Sequence, residues 1–140
     1  MKIVLDTNVL VSGLLSPFGA PGEIVRMMAS SEIALCVDAR ILAEYEEVIN
    51  RPRFKIDANK KEVLMDCIRN NAEIHPTSPL PHTMPDEDDA PFLAVAISSK
   101  ASCLVAGNIK HYPANCREDV KVLAPMEFLI YFKKYRTRGS

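Results

Sequence analysis

Glycine is scarce in this chain, at 5 of 140 residues, and none of it is arranged as a phosphate-binding loop. Neither G-x-x-x-x-G-K-S/T nor G-x-G-x-x-G occurs, so nucleoside-triphosphate and dinucleotide chemistry lose their usual anchors. Cysteine pairs of the C-x-x-C kind are also missing. Cys36, Cys67, Cys103 and Cys116 are separated by 31, 36 and 13 residues, which argues against structural zinc and for four reduced thiols in a cytoplasmic setting. No apolar run reaches the length of about eighteen residues that a membrane span requires, and Asp6 and Asn8 interrupt the apolar start before export length. A soluble protein without a membrane partner is expected. Charge of one sign is lacking as well: 17 basic against 18 acidic residues leave −1, which excludes an indiscriminate nucleic-acid coat or a binder of anionic membranes. No RNA recognition motif and no aromatic stacking platform points to a preferred base.

What is present is an alternation of short apolar runs with helical patterns. Ile3-Val4-Leu5, Ile33 to Val37, Ser102 to Ala106 and Val120 to Leu123 read as strands, with a weaker strand at Ala72 to His75. Helical spacing follows Pro21-Gly22, runs from Asp38 to Arg51-Pro52, extends from Asp57 to Asn71, covers Phe92 to Ile97, and closes the chain from Met126 to Tyr135. A long loop is expected between the first strand and the first helix. Five prolines from Pro76 to Pro91 mark a second one. This order is that of a three-layer α/β/α domain with a mainly parallel sheet over residues 1–135, followed by a basic, flexible tail at 136–140.

In such sheets the ligand crevice lies beyond the carboxyl ends of the strands, where Asp6, Asp89 and Asn108 would sit. Asp6 ends an apolar run and is either a helix cap or a crevice carboxylate, with Thr7 and Asn8 beside it to orient it. Glu44 lies beside Ile41 and Val48 on a helix, so it either looks inward or covers the core with its stem. In the run Asp86-Glu87-Asp88-Asp89, Asp89 is the inward candidate, while Asp86 and Asp88 face solvent or assist at the rim. Gathering Asp6, Glu44 and Asp89 demands a cation, and an all-oxygen donor set selects Mg²⁺ or Mn²⁺. Such an ion leaves places for water and a phosphodiester, which points to nucleic-acid hydrolysis.

These positions fall within four motifs in order: V-L-D-T-N-V-L-V-S-G-L-L, L-A-E-Y-E-E-V-I-N-R-P-R-F, D-E-D-D-A-P-F-L-A-V-A and C-L-V-A-G-N-I-K-H-Y-P. In them the chain resembles, over nearly its whole length, the PIN-domain proteins, close to the group described as toxin components of prokaryotic toxin–antitoxin systems. The resemblance implies a parallel-sheet fold and a Mg²⁺- or Mn²⁺-dependent ribonuclease. It also implies a carboxylate core of Asp6, Glu44 and Asp89, with Asn108 at the more variable fourth metal position. A cognate antitoxin and a homodimer are further implications. The chain departs from the pattern at Ala106, where Thr or Ser is frequent, and at Asn108, where Asp would add a fourth charge. Two other readings stay open: a PIN-fold regulator that binds RNA or protein and cleaves weakly, and a DNA nuclease. The near-zero net charge averages −4 from residues 86 to 89 and +4 from Lys133, Lys134, Arg136 and Arg138, while Lys110, His111 and Arg117 are placed to meet phosphates. Met27, Met28, Phe128, Tyr131 and Phe132 are either core or a dimer patch.

Overall fold

The computed structural model describes residues 1–139 and contains five strands, β1 (Lys2–Leu5), β2 (Ala34–Val37), β3 (Glu73–Ile74), β4 (Cys103–Val105) and β5 (Val122–Leu123). Six α-helices accompany them: α1 (Thr7–Leu15), α2 (Ala20–Ala29), α3 (Ala39–Ile49), α4 (Ala58–Asn71), α5 (Ala90–Ser99) and α6 (Pro125–Gly139). All strand pairs are parallel, in the order β3-β2-β1-β4-β5, so the sheet is the middle of a three-layer α/β/α sandwich. The central strands are buried on both faces. Ile3, Val4 and Leu5 are fully inaccessible, as are Cys103, Leu104 and Val105, which explains why these segments read as continuous apolar runs.

Three helices are capped at their start by an aspartate side chain. Asp6 Oδ1 accepts from the Asn8 amide at 3.1 Å, Asp38 Oδ1 from the Ile41 amide at 2.9 Å, and Asp57 Oδ2 from the Lys60 amide at 3.2 Å. Each cap satisfies an amide that would otherwise have no partner in the first helical turn. The long loop expected between the first strand and the first helix is instead α1, which starts directly after Asp6, and a short turn that leads into the expected helix, α2. Their close packing depends on two glycines. A Cβ on Gly13 would lie 2.6 Å from Val25 Cγ2, and one on Gly22 would lie 2.2 Å from the Pro17 carbonyl oxygen.

α5 lies against β1, β2 and β4, with Phe92 to Ala96 buried in succession. Its first residue follows Asp89 and its last is Ser99, so the helix carries the chain from the carboxyl end of the sheet to the opposite end. α6 continues past Tyr135 to Gly139, which places residues 136–139 on the helix instead of beyond it; Ser140 lies outside the described residues. Arg136 there comes to 3.8 Å from Glu32. Met27, Met28, Phe128 and Phe132 are buried, so these four belong to the core, and the dimer patch read from them does not exist. The Tyr131 ring instead carries Lys121 Nζ at 4.5 Å from its centroid. No helix among the described residues is long and apolar enough to cross a membrane, and all four cysteines are free.

Candidate active site

Asp6 sits where β1 runs out and α1 begins, fixed by contacts from β4 and α3. Its amide donates to the Val105 carbonyl of β4 at 2.9 Å, and the preceding Leu5 carbonyl accepts from the Tyr45 hydroxyl of α3 at 2.5 Å. The residue is 7% exposed. One carboxylate oxygen caps α1, while the other, Oδ2, accepts from the Tyr112 hydroxyl at 2.8 Å. A buried phenol needs such a partner, and this one pins the carboxylate plane. Tyr112 was not among the residues singled out from sequence; the available signal was an aromatic between His111 and Pro113 shortly after an apolar strand.

Glu44 is half-buried on α3, and its Oε2 accepts from the Thr7 hydroxyl. Burial pushes its carboxyl up, the Thr7 bond opposes this, and repulsion from Asp6 and Asp88 adds to the rise. Thr7 thus orients Glu44, whereas Asn8 serves Asp6 through its backbone amide and leaves its side chain exposed. Asp89 stands at the start of α5 with only 8% exposure. Its Oδ2 is buried without a hydrogen-bond partner among the described residues, and His111 Nδ1 lies 3.5 Å from it. Burial, and then repulsion from Asp6, push the Asp89 carboxyl up to about 6, with Asp86 and Glu44 contributing in the same sense and His111 against.

Asp6, Glu44 and Asp89 therefore repel one another at the carboxyl end of β1, where they are brought from three helix starts or faces far apart in sequence. Asp86 and Asp88 are exposed at the rim, and Asp86 Oδ1 caps the Asp88 amide at 2.9 Å. Asn108 follows β4 as expected, but it is exposed and its Oδ1 accepts from the Lys110 amide at 3.1 Å, so its carboxamide oxygen already caps a short turn. Lys110 is exposed, and His111 is half-exposed beside Asp89. Arg117 departs from the phosphate-facing expectation: its guanidinium donates to the Tyr112 carbonyl at 2.6 Å and the Ile109 carbonyl at 3.5 Å, bracing the loop that delivers Tyr112. A cleft of about 610 Å³ borders this region, between the proline-rich loop and α5, and is lined by Arg40, Leu80, His82, Glu87 and Ala90 among others.

Converging carboxylates, one with an unsatisfied buried oxygen, are a donor set that fits a hard divalent cation. A PIN domain family model matches residues 2–110, which includes every one of these carboxylates. The chain belongs to the PIN domain family. An uncharacterized protein of Methanocaldococcus jannaschii, MJ1680, is 29% identical to this PIN protein, with 96% of this chain and 94% of the relative aligned. The fold is similar to that of a chain in the crystal structure of VapBC2 from Rickettsia felis bound to a DNA fragment from its promoter. That likeness has a TM-score of 0.58 at 17% identity and covers 89% of this chain and 98% of the other.

A second group of ligand atoms lies elsewhere on the PIN fold. Among the described residues, Cys36, Glu73 and His75 form the one trio of Cys, His, Asp or Glu whose ligand atoms all lie within 4.8 Å of one another. The three carboxylates of the candidate active site are more widely spaced than that.

Proposed function

We propose that this PIN protein is a Mg²⁺- or Mn²⁺-dependent endoribonuclease and the toxin of a toxin–antitoxin pair. The observation that carries the reading is Asp89, buried beside Asp6 and Glu44 with an oxygen that accepts no hydrogen bond from the described residues. Asp6 and Asp89 would hold the ion, with Glu44 bound to it directly or through water. Such an ion supplies Lewis acidity at the phosphoryl oxygen and a more acidic bound water. The chain's own work is positioning. Tyr112 fixes the plane of Asp6, Thr7 fixes Glu44, and Lys110 and His111 stand at the rim to meet the phosphates flanking the scissile bond, so that a water attacks phosphorus in line with the departing sugar oxygen.

The toxin role draws support from family membership together with the fold likeness to a VapBC2 chain. A cognate antitoxin, or a second copy in a homodimer, would find exposed apolar side chains at Met126 and Ile130, which border a groove of about 350 Å³ between α2 and α6. Four free thiols suit a cytoplasmic location.

Cleavage assays with structured RNA, single-stranded RNA and DNA, each with Mg²⁺, Mn²⁺ or chelator, test the reading. Metal-stimulated RNA cleavage that disappears in Asp6→Asn and Asp89→Asn supports it; undiminished cleavage by either folded variant overturns it. Preference for DNA would reassign the substrate. The capping role of Asn108 favours one second reading, a PIN-fold regulator with weakened metal binding, and RNA binding without cleavage under every condition would identify it.

A further inference from the structure

Cys36 lies in β2 with no exposed surface, paired in register with Glu73 of β3. Residues two apart on a strand share a face, and the ladder continues beyond Ile74 through the His75 amide, which donates to the Val37 carbonyl at 2.9 Å. Register therefore sets the thiol, the carboxylate and the imidazole on one side of the sheet edge. His75 Nε2 lies 3.1 Å from Glu73 Oε1. Beneath them, at the end of α5, Ser99 is 4% exposed, and its Oγ, which makes no well-aligned hydrogen bond, faces the Cys36 thiol closely enough to favour the thiolate.

We propose that Cys36, Glu73 and His75 bind one divalent transition-metal cation of the zinc class across the β2–β3 edge, with Ser99 Oγ or water completing four-coordination. Sulfur, nitrogen and oxygen donors from three side chains are the mixed set that such a cation takes, and a thiolate does not suit Mg²⁺ or Mn²⁺. On binding, the Cys36 thiol loses its proton to solvent and the sulfur–metal bond replaces the sulfur–hydrogen bond. One thiolate and one carboxylate then neutralise the two charges of the ion, so the filled site is electrically balanced within the sheet. Lys2 Nζ, which pairs with Glu73 at 3.4 Å, has a side chain 45% exposed and can turn into water as the ion enters. Entry is from the solvent side, where the Glu73 and His75 side chains are 39% and 21% exposed.

This site is separate from the carboxylates. α5 runs from Asp89 at one end to Ser99 at the other, a path of about 15 Å at the usual helical rise. The consequence of filling it is mechanical: β3 is two residues long and joins the sheet only through β2, and an ion held by both strands would clamp that edge.

The test uses the full chain, stripped with chelator and titrated with Co²⁺. The expected result is a thiolate-to-cobalt charge-transfer band that saturates at one ion per chain and is erased by Zn²⁺. Cys36→Ala and His75→Asn should weaken or abolish it by at least about tenfold in affinity, while the double variant Asp6→Asn/Asp89→Asn retains it. Zn²⁺ should also raise the thermal midpoint of the wild type and slow amide exchange in β3, and should do neither in His75→Asn. His75→Asn keeps the test decisive if Cys36→Ala does not fold, because position 75 is at the partly exposed edge. A wild-type chain without a thiolate band overturns the proposal. A band that survives in folded His75→Asn at unchanged affinity, or one lost in the Asp6/Asp89 double variant, overturns it too.

Discussion

Asp89→Asn should make the metal-free protein more stable at neutral pH while destroying its response to Mg²⁺ or Mn²⁺. The carboxyl has an ordinary value of 3.8 and is raised to about 6 in the folded state. The folded state thus holds the proton more tightly than the unfolded chain. Any stability due to this group is fully present below 3.8 and is lost as the pH rises through about 6. A rise of this size corresponds to a cost of about 3 kcal/mol at neutral pH when the carboxylate stays ionised without a counter-ion. Asparagine removes the charge but leaves a buried amide that the site satisfies only in part, at a cost of about 1–2 kcal/mol. No helix cap is lost, because the Asp89 side chain makes no capping bond to α5. The net gain is about 1–2 kcal/mol, or about 3–6 °C in thermal midpoint for a chain of this size. Melting curves of chelator-treated wild type and variant at pH 7.5 and pH 4 measure it. The gap should close at pH 4, where the wild-type carboxyl is protonated. At pH 7.5 saturating Mg²⁺ or Mn²⁺ should raise the wild type alone. A variant less stable than wild type at pH 7.5 in chelator, or an equal gain at both pH values, would refute the electrostatic account.

Tyr112→Phe removes the side-chain donor to Asp6 Oδ2, and loss of a buried bond to a carboxylate should cost about 1.5–3 kcal/mol in stability. It should also weaken divalent-ion affinity or cleavage by about 10–100-fold, read by ion titration of the folded variant; unchanged affinity would show that the hydroxyl does not orient Asp6. Gly22→Ala should destabilise by about 1–3 kcal/mol or more, because the added Cβ meets backbone at Pro17 instead of a yielding side chain. Urea unfolding measures this, and a stability equal to wild type would mean that the α1–α2 turn can move away.

The inner strands β1, β2 and β4 were legible in the sequence because parallel strands buried on both faces have no polar alternation to obscure them, whereas β3, with Ile74 exposed, read only weakly. Asp38 and Asp57 were legible as starts because the helices behind them are amphipathic. α1 was not. Val9, Leu10 and Val11 are all buried in succession, which reads as a continuous apolar run, the exposed polar stripe is only Asn8 and Ser12, and Ser12-Gly13 resembles loop composition. The glycine there serves close helix packing, a tertiary cause that local pattern does not carry. Position at a strand end led to Asp6 and Asn108 alike, but only the folded chain separates them: Asp6 is buried among carboxylates, whereas Asn108 is exposed and occupied as a cap. Tyr112 escaped notice because its partner lies 106 residues away. Arg117 was misplaced for a related reason, since charge alone suggested phosphate while the geometry gives it two backbone carbonyls.

The two outer strands of the sheet, β3 and β5, are each two residues long. Neither offers a long row of free amides and carbonyls to template an incoming strand, so the sheet is poorly suited to edge-to-edge growth. The surfaces the protein offers a macromolecule are chiefly those of helices, loops and the crevice above β1. Specificity on such surfaces resides in side chains, which can change one at a time without disturbing the parallel core beneath.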